Sequence, residues 1–313
     1  MPLCSAIIVT YNSAESIVPC LRALTHEGCE IVVVDNASQD NTVEQVESLR
    51  GEVPVEFLRI SRNLGFAAGI NHGMRAASGD VFLILNPDAV AEPGAVSALL
   101  QCLEAQSAAA AGGALLNDSG EPDRGFAFRR LPTLASLLCE VTLVNQMWPS
   151  NPINRRYRCL DADYSRVQPV EQPAGACLAI TREAWQAVGG MDAQFAPVWF
   201  EDVDLCRRLI DSGRKIVYCP AARFGHAGAH SVGKLSFRDK QVFWYANMLR
   251  YARKHFSRTK VLVLRAAIVK GMFLRSLAAL LGRGPKQAGF REAVKAYRQV
   301  IREAVGGSAE RTP

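Results

Sequence analysis

No uninterrupted apolar run in this sequence is long enough to cross a bilayer, which takes about 20 residues. The nearest approach, 261–282, is interrupted by Arg265, Lys270 and Arg275. These recur every five residues, so they do not share one narrow helical face. The stretch fits either a buried helical hairpin arm or a helix lying in the plane of a membrane interface. The opening MPLCSAIIVTYN has no basic segment, no long apolar core and no cleavage site. It reads as a strand, so secretion is not expected. The nine cysteines form no CxxC pair and no regular spacing. They are expected as reduced thiols, mostly core filler, in a cytoplasmic protein. No GxGxxG follows the first strand and no GxxxxGK[ST] occurs, which disfavours dinucleotides and P-loop chemistry.

Charge of either sign is not abundant. The net charge is +6 over 313 residues, which does not argue for nucleic acid, and none is expected as a partner. Much of the excess falls between Arg250 and Arg275. Such a region suits a membrane surface or a phosphate-bearing substrate, and equally a solvated helical face. With 49% hydrophobic and 21% charged residues, the chain has ample material for a core.

What is present is an alternation. Through the first 116 residues, CSAIIVTYN, EIVVVDNAS, VEFLRIS, VFLILNPD and AAAAGGALL read as strands. SAESIVPCLRALT, with Ser13 as its cap, DNTVEQVESLR, FAAGINHGMRAAS and GAVSALLQCLEAQ read as helices between them. Continuous apolar strands separated by helices imply an α/β fold with a mostly parallel sheet covered on both faces. In such sheets ligands bind beyond the carboxyl ends of the strands. Thr10, Tyr11 and Asn12, then Asp35, Asn36 and Ser38, then Asn86 and Asp88 stand at three of those ends. With no phosphate loop, a divalent cation held by Asp88 is the natural partner for a pyrophosphate, because carboxylate and phosphate oxygens make a hard-oxygen site.

Residues 117–170 are irregular and read as a variable insertion over the crevice. Order returns with a strand over 175–180, a glycine-terminated helix REAWQAVGG and a helix EDVDLCRRLIDSG. The first turn of that last helix carries Glu201, Asp202 and Asp204, as the helix dipole favours. The chain is expected to divide into an α/β domain over 1–235 and a helical region over 236–313, facing a membrane or an acceptor.

IIVTYN, IVVVDNASQDNT, RNLGFAAGINHG, LILNPDA, GACLAITREAWQAVGGMDAQF and FEDVDLCRRL occur in that order. Together they resemble the inverting family 2 glycosyltransferases of the GT-A fold, in the rhamnosyltransferase-like branch, over about residues 3 to 255. The resemblance implies a nucleoside-diphosphate-sugar pocket lined by Thr10, Tyr11, Asn12, Asp35, Asn36, Asn63, Gly65, Asn71, Asn86 and Asp88. Asn86-Pro87-Asp88 occupies the place of the metal-binding Asp-x-Asp motif. It departs from that motif at Asn86, which leaves Asp88 as the main carboxylate on Mg2+ or Mn2+. In FEDVDL the resemblance makes Asp202 the general base, with Glu201 beside it. In RFGHAGAHSVGK it makes His226 a further metal ligand, and His230 with Ser231 candidates for contact with the diphosphate.

The activity so implied is transfer of a sugar, with dTDP-L-rhamnose the leading donor, onto a polysaccharide or lipid-linked glycan at the inner face of the cytoplasmic membrane. Two rival readings stand beside it. A sugar-phosphate nucleotidyltransferase would carry a Gly-rich, basic loop after the first strand, where this chain has TYNSAES. A non-catalytic nucleotide-sugar sensor or assembly subunit fits the loss of the first motif carboxylate, but has no use for the Glu201-Asp202 pair.

Overall fold

A computed structural model describes residues 4–226 and 233–306. The strands are β1 (Cys4–Thr10), β2 (Glu30–Asp35), β3 (Val55–Arg59), β4 (Val81–Leu85), β5 (Ala89–Ala91), β6 (Ala110–Leu116), β7 (Phe128–Arg129), β8 (Gln168–Pro169), β9 (Gln172–Pro173), β10 (Cys177–Thr181) and β11 (Ile216–His226). The helices are α1 (Ile17–Leu24), α2 (Thr42–Ser48), α3 (Phe66–Ala76), α4 (Ala95–Ala105), α5 (Leu134–Val141), α6 (Val144–Met147), α7 (Pro152–Tyr157), α8 (Arg182–Val188), α9 (Glu201–Asp211), α10 (Phe237–His255), α11 (Arg258–Leu280) and α12 (Phe290–Gly306). Two compact units result. One holds 1–131, 158–197 and 201–233; the other holds 132–157, 198–200 and 234–313.

The first unit is built on a mixed sheet in the order β3-β2-β1-β4-β10-β6-β11-β5. β3, β2, β1 and β4 run parallel, as does the pair β6 and β11. The apolar strands are continuous because alternate side chains enter two different cores. Cys4, Ala6 and Ile8 of β1 join α1 and α4 on one face. Ile7 and Val9 join α3, α8 and α9 on the other. β6 does not neighbour β4 as the order of strands in the sequence suggests. β10 lies between them and pairs antiparallel with both. Its start therefore lies at the carboxyl end of β4. α1 begins at Ile17 rather than near Ser13, whose carbonyl accepts from the Ser16 and Ile17 amides. At the start of α4 the carboxylate of Glu27 does the capping, accepting from Gly94 N at 2.7 Å and Val96 N at 2.8 Å.

The second unit is helical and takes in α5–α7 as well as α10–α12. Ser236 and Ser257 cap α10 and α11 through their hydroxyls. α11 crosses α5 backbone to backbone at Gly271, where a Cβ would lie 1.9 Å from the Val141 carbonyl oxygen. Arg275 donates to that carbonyl at 2.5 Å and to Glu140 O at 3.3 Å. Arg265 donates to the Ala304 and Val305 carbonyls at the end of α12. Two of the three cations that interrupt the apolar stretch thus satisfy orphan carbonyls at helix C-termini. Among the described residues, no helix is long and apolar enough to cross a membrane.

Candidate active site

The carboxyl ends of β1 and β2 are tied together by side chains. Thr10 and Asp35 are register partners, and the Thr10 hydroxyl donates to Asp35 Oδ1 at 3.2 Å. Asp35 Oδ2 accepts from the Ser38 amide at 3.1 Å. Asn12, at φ 55°, accepts from Gln39 N at 2.7 Å and donates its own amide to Ser38 Oγ at 2.9 Å. Asn36 is buried; its Nδ2 donates to Asn63 Oδ1 at 2.9 Å and its Oδ1 accepts from Leu64 N at 2.8 Å. Asn63 Oδ1 also accepts from Gly65 N. Thr10, Asn12, Asp35, Asn36, Asn63 and Gly65 therefore belong to one hydrogen-bonded web, with Tyr11 half-buried in the loop between Thr10 and Asn12.

Two of the residues expected at the donor also contact the 191–197 segment. Gly65 sits at φ 86°, and a Cβ there would lie 3.1 Å from Ala196 Cβ, Pro197 Cα and Pro197 O. Its missing side chain makes room for the 196–197 loop. Asn71 bonds twice to Met191, donating to the carbonyl at 2.7 Å and accepting from the amide at 3.0 Å. These two bonds pin the loop that carries Met191.

The turn after β4 is fixed from the residue that precedes β10. Asn86 N donates to Ala176 O at 3.0 Å, and Ala89 N closes the turn on Asn86 O at 3.1 Å. The chain then enters β5, where Ala89 is the antiparallel partner of His226 at the end of β11. That register carries His226 to Asp88. Their side chains are 6% and 5% exposed, and Nε2 lies 3.5 Å from Asp88 Oδ1. The imidazole stacks on Phe126 at 5.3 Å, and its buried Nε2 has no hydrogen-bond partner. His230 and Ser231 lie outside the described residues.

The three carboxylates of α9 have separate environments. Asp204 is fully buried and paired with Arg208 at 2.8 Å. Arg208 in turn donates to Val188 O at 2.6 Å. Asp202 Oδ2 accepts from Gly175 N at 3.0 Å and Gln172 Nε2 at 3.1 Å. Gly175 is required there, since a Cβ would lie 2.9 Å from Asp202 Cβ. Burial pushes the Asp202 carboxyl above its ordinary range, against the pull of the Gly175 and Val203 amides and the Arg129 cation. Glu201 is buried, its Oε2 lacks a hydrogen-bond partner, and burial together with the Asp202 charge pushes its carboxyl well above the usual range. Because Ala176 holds Asn86 while Gly175 holds Asp202, the Asp88 turn and Asp202 meet at one end of the sheet.

Arg129 is the residue the sequence reading missed. β7 pairs with β9 so that Arg129 opposes Gln172, which donates to Asp202. Arg129 lies 5.9 Å over the Phe126 ring, against which His226 stacks, and donates to Gly125 O at 2.6 Å. The RGFAFRR stretch carries no periodicity, so only the strand pairing reveals its place.

Comparison with known proteins agrees with this geometry. Residues 5–160 match the model of the glycosyl transferase family 2, and residues 155–230 match one described as the N-terminal domain of galactosyltransferase. An N-acetylglucosaminyl-diphospho-decaprenol L-rhamnosyltransferase of Mycobacterium tuberculosis is 30% identical over 248 residues, 73% of this chain and 77% of the relative. Among solved structures, GalNAc-T7 with UDP, GalNAc and Mn2+ superposes with a TM-score of 0.59 at 14% identity, over 98% of this chain and 56% of that one. The mannosyltransferase PcManGT of Pyrobaculum calidifontis, in complex with GDP-Man and Mn2+, gives 0.56 at 16% identity, over 97% and 86%. The likeness to the solved structures gives the fold, and the mycobacterial relative gives the family. The chain belongs to glycosyltransferase family 2, in its rhamnosyltransferase-like branch, and its first unit has the GT-A fold.

Proposed function

We propose that this glycosyltransferase moves L-rhamnose from dTDP-L-rhamnose, with inversion, onto a hydroxyl of a lipid-linked glycan at the cytoplasmic face of a membrane. The observation that carries the chemistry is the meeting of the Asp88–His226 pair with the Asp202 carboxylate at one end of the sheet. The name of the mycobacterial relative joins L-rhamnose to a diphospho-decaprenol acceptor, which supports the donor and the acceptor class.

Asp202 is the base. It is held by two hydrogen bonds, and burial makes it a stronger base than a solvated carboxylate. It takes the proton of the incoming hydroxyl, which displaces the nucleoside diphosphate from the opposite face and inverts the anomeric carbon. Glu201 beside it favours its protonated form and offers a neutral hydrogen bond rather than a second base. The web of Thr10, Asn12, Asp35, Asn36 and Asn63 shapes the nucleoside pocket, with Tyr11 at its edge.

The residues at the Asp88 turn fit a divalent cation. A buried imidazole nitrogen without a hydrogen bond, 3.5 Å from a carboxylate oxygen, sets two ligand types of a divalent cation side by side. Among the described residues no group of three or more His, Cys, Asp or Glu could hold a metal, so the remaining ligands would be diphosphate oxygens and water. Mn2+ in two GT-A neighbours supports the same reading. Asp88 and His226 would hold such a cation, and the chemistry it would supply is charge neutralisation for the departing diphosphate.

The test is transfer from a panel of nucleotide sugars to a polyprenyl-diphosphate-linked acceptor, with the product anomer assigned by NMR. The expected result is metal-dependent transfer from dTDP-L-rhamnose alone, lost in Asp88→Ala and His226→Ala. Transfer that survives chelation, or an anomer of retained configuration, overturns the mechanism. Preference for another donor overturns the sugar.

A further inference from the structure

α11 presents an apolar face to solvent. Leu262, Phe273, Leu277 and Leu280 are 61%, 71%, 49% and 67% exposed, and Ala266 and Lys270 are exposed between them. At about 100° per residue these six positions fall within roughly 80° of one another, so they form a single stripe along the helix. The opposite face, with Leu264, Ile268 and Met272, is buried. Arg265 and Arg275 lie on that inner side and are occupied at helix ends, which leaves Lys270 as the one cation within the stripe.

Charge along the stretch of chain that carries the stripe is of one sign. From Lys240 to Arg291 the sequence contains twelve Lys and Arg and no Asp or Glu. Arg258 stands one turn before Leu262, and Arg283 and Lys286 follow Leu280; all three are exposed. An exposed apolar stripe flanked by exposed cations, in a stretch of sequence without a carboxylate, is complementary to acyl chains beneath an anionic headgroup layer. A second copy of the chain fits poorly, since an isologous contact along α11 would set Arg258 and Lys270 against like charges.

We propose that the outer face of α11 docks in the plane of an anionic lipid bilayer, with Phe273, Leu277 and Leu280 inserted and Arg258, Lys270, Arg283 and Lys286 at the headgroups. The inference deepens the membrane side of the proposed function and rests on it only for the choice of leaflet.

The experiment is flotation of the full chain with vesicles of phosphatidylcholine alone, or with about one third phosphatidylglycerol, at low and high salt. Binding is expected only to the anionic vesicles and is expected to weaken with salt. The triple variant Phe273→Ser, Leu277→Ser, Leu280→Ser is expected to lose about tenfold or more in partitioning, because binding scales with buried apolar area. Lys270→Gln is expected to lose about fivefold, as for one charge near an anionic surface. Thermal melting of each variant is expected to match wild type, since every substituted side chain is exposed. Equal flotation with neutral vesicles, no flotation, or a triple variant that binds like wild type overturns the proposal. So does a wild-type dimer that the triple variant dissolves while neither protein floats. The vesicles carry neither donor nor acceptor, so this result and the outcome of the transfer assay are read separately.

Discussion

Asp202 and Asp204 stand two residues apart on α9, hence on nearly opposite sides of it, and their substitution should separate catalysis from stability. Asp204→Ala leaves the Arg208 guanidinium, only 19% exposed, without its carboxylate. Stranding one member of a buried pair costs about 3–5 kcal/mol. At about 2–4 °C per kcal/mol for a unit of roughly 200 residues, the melting temperature should fall by roughly 6–20 °C. Turnover measured well below that temperature should stay near wild type. Asp202→Asn changes almost no volume, and its carbonyl can still accept from Gly175 N. The same carbonyl keeps the Gln172 bond, while the NH2 takes the Oδ1 position facing the Val203 amide and spoils that one hydrogen bond, at about 1 kcal/mol. Removal of a buried charge offsets that cost, so melting should barely move. Turnover should fall about 10²–10⁴-fold, which is roughly 3–5 kcal/mol of barrier. Calorimetry and stopped-time transfer assays on the same preparations give both numbers. An Asp202→Asn enzyme with wild-type turnover, or an Asp204→Ala enzyme equally impaired while folded, refutes the assignment of the base.

Arg129→Gln removes a cation that holds the Asp202 carboxyl down, so its pKa rises further and the acid limb of the kcat/KM profile should move to higher pH; an unmoved limb would count against the coupling. Glu201 has a folded pKa above its unfolded one, so the native state holds a proton that the unfolded chain has lost, and stability declines as pH rises above about 4.5 toward the folded value. Glu201→Gln should flatten that decline, as denaturant melts across pH would record. Asn71→Ala loses both bonds to Met191 and should cost about 1–3 kcal/mol, with KM for the donor changed less than stability.

Most of the sheet was legible because β1, β2 and β4 are apolar on both faces, a pattern that needs no partner to be recognised. The order of strands was not, because the insertion of β10 between β4 and β6 is a pairing across long stretches of chain that leaves no local mark. Asp88, Asp202 and His226 could be chosen from motif position. That His226 reaches Asp88 depends on its register with Ala89, which no spacing encodes. Asn71 and Gly65 were singled out for their motif; their contacts with Met191 and the 196–197 loop span long stretches of chain and leave no local mark. Arg129 stayed hidden in an aperiodic stretch whose two-residue strand has no propensity signal. The grouping of 132–157 with the C-terminal helices rests on contacts such as Arg275 with Val141, far apart in the chain.

The late arrival of β10 has a consequence for synthesis. A chain leaving the ribosome completes β1 to β4 early, with VFLIL of β4 as an open edge on one side. The strand that covers it begins only at Cys177. Throughout that interval a fully apolar edge with free ladder groups can recruit another chain. Fragments that stop short of Thr181 should therefore aggregate, while those that extend through β11 should stay in solution. Slowing translation between 86 and 176 should lengthen the exposure and lower the yield of folded enzyme.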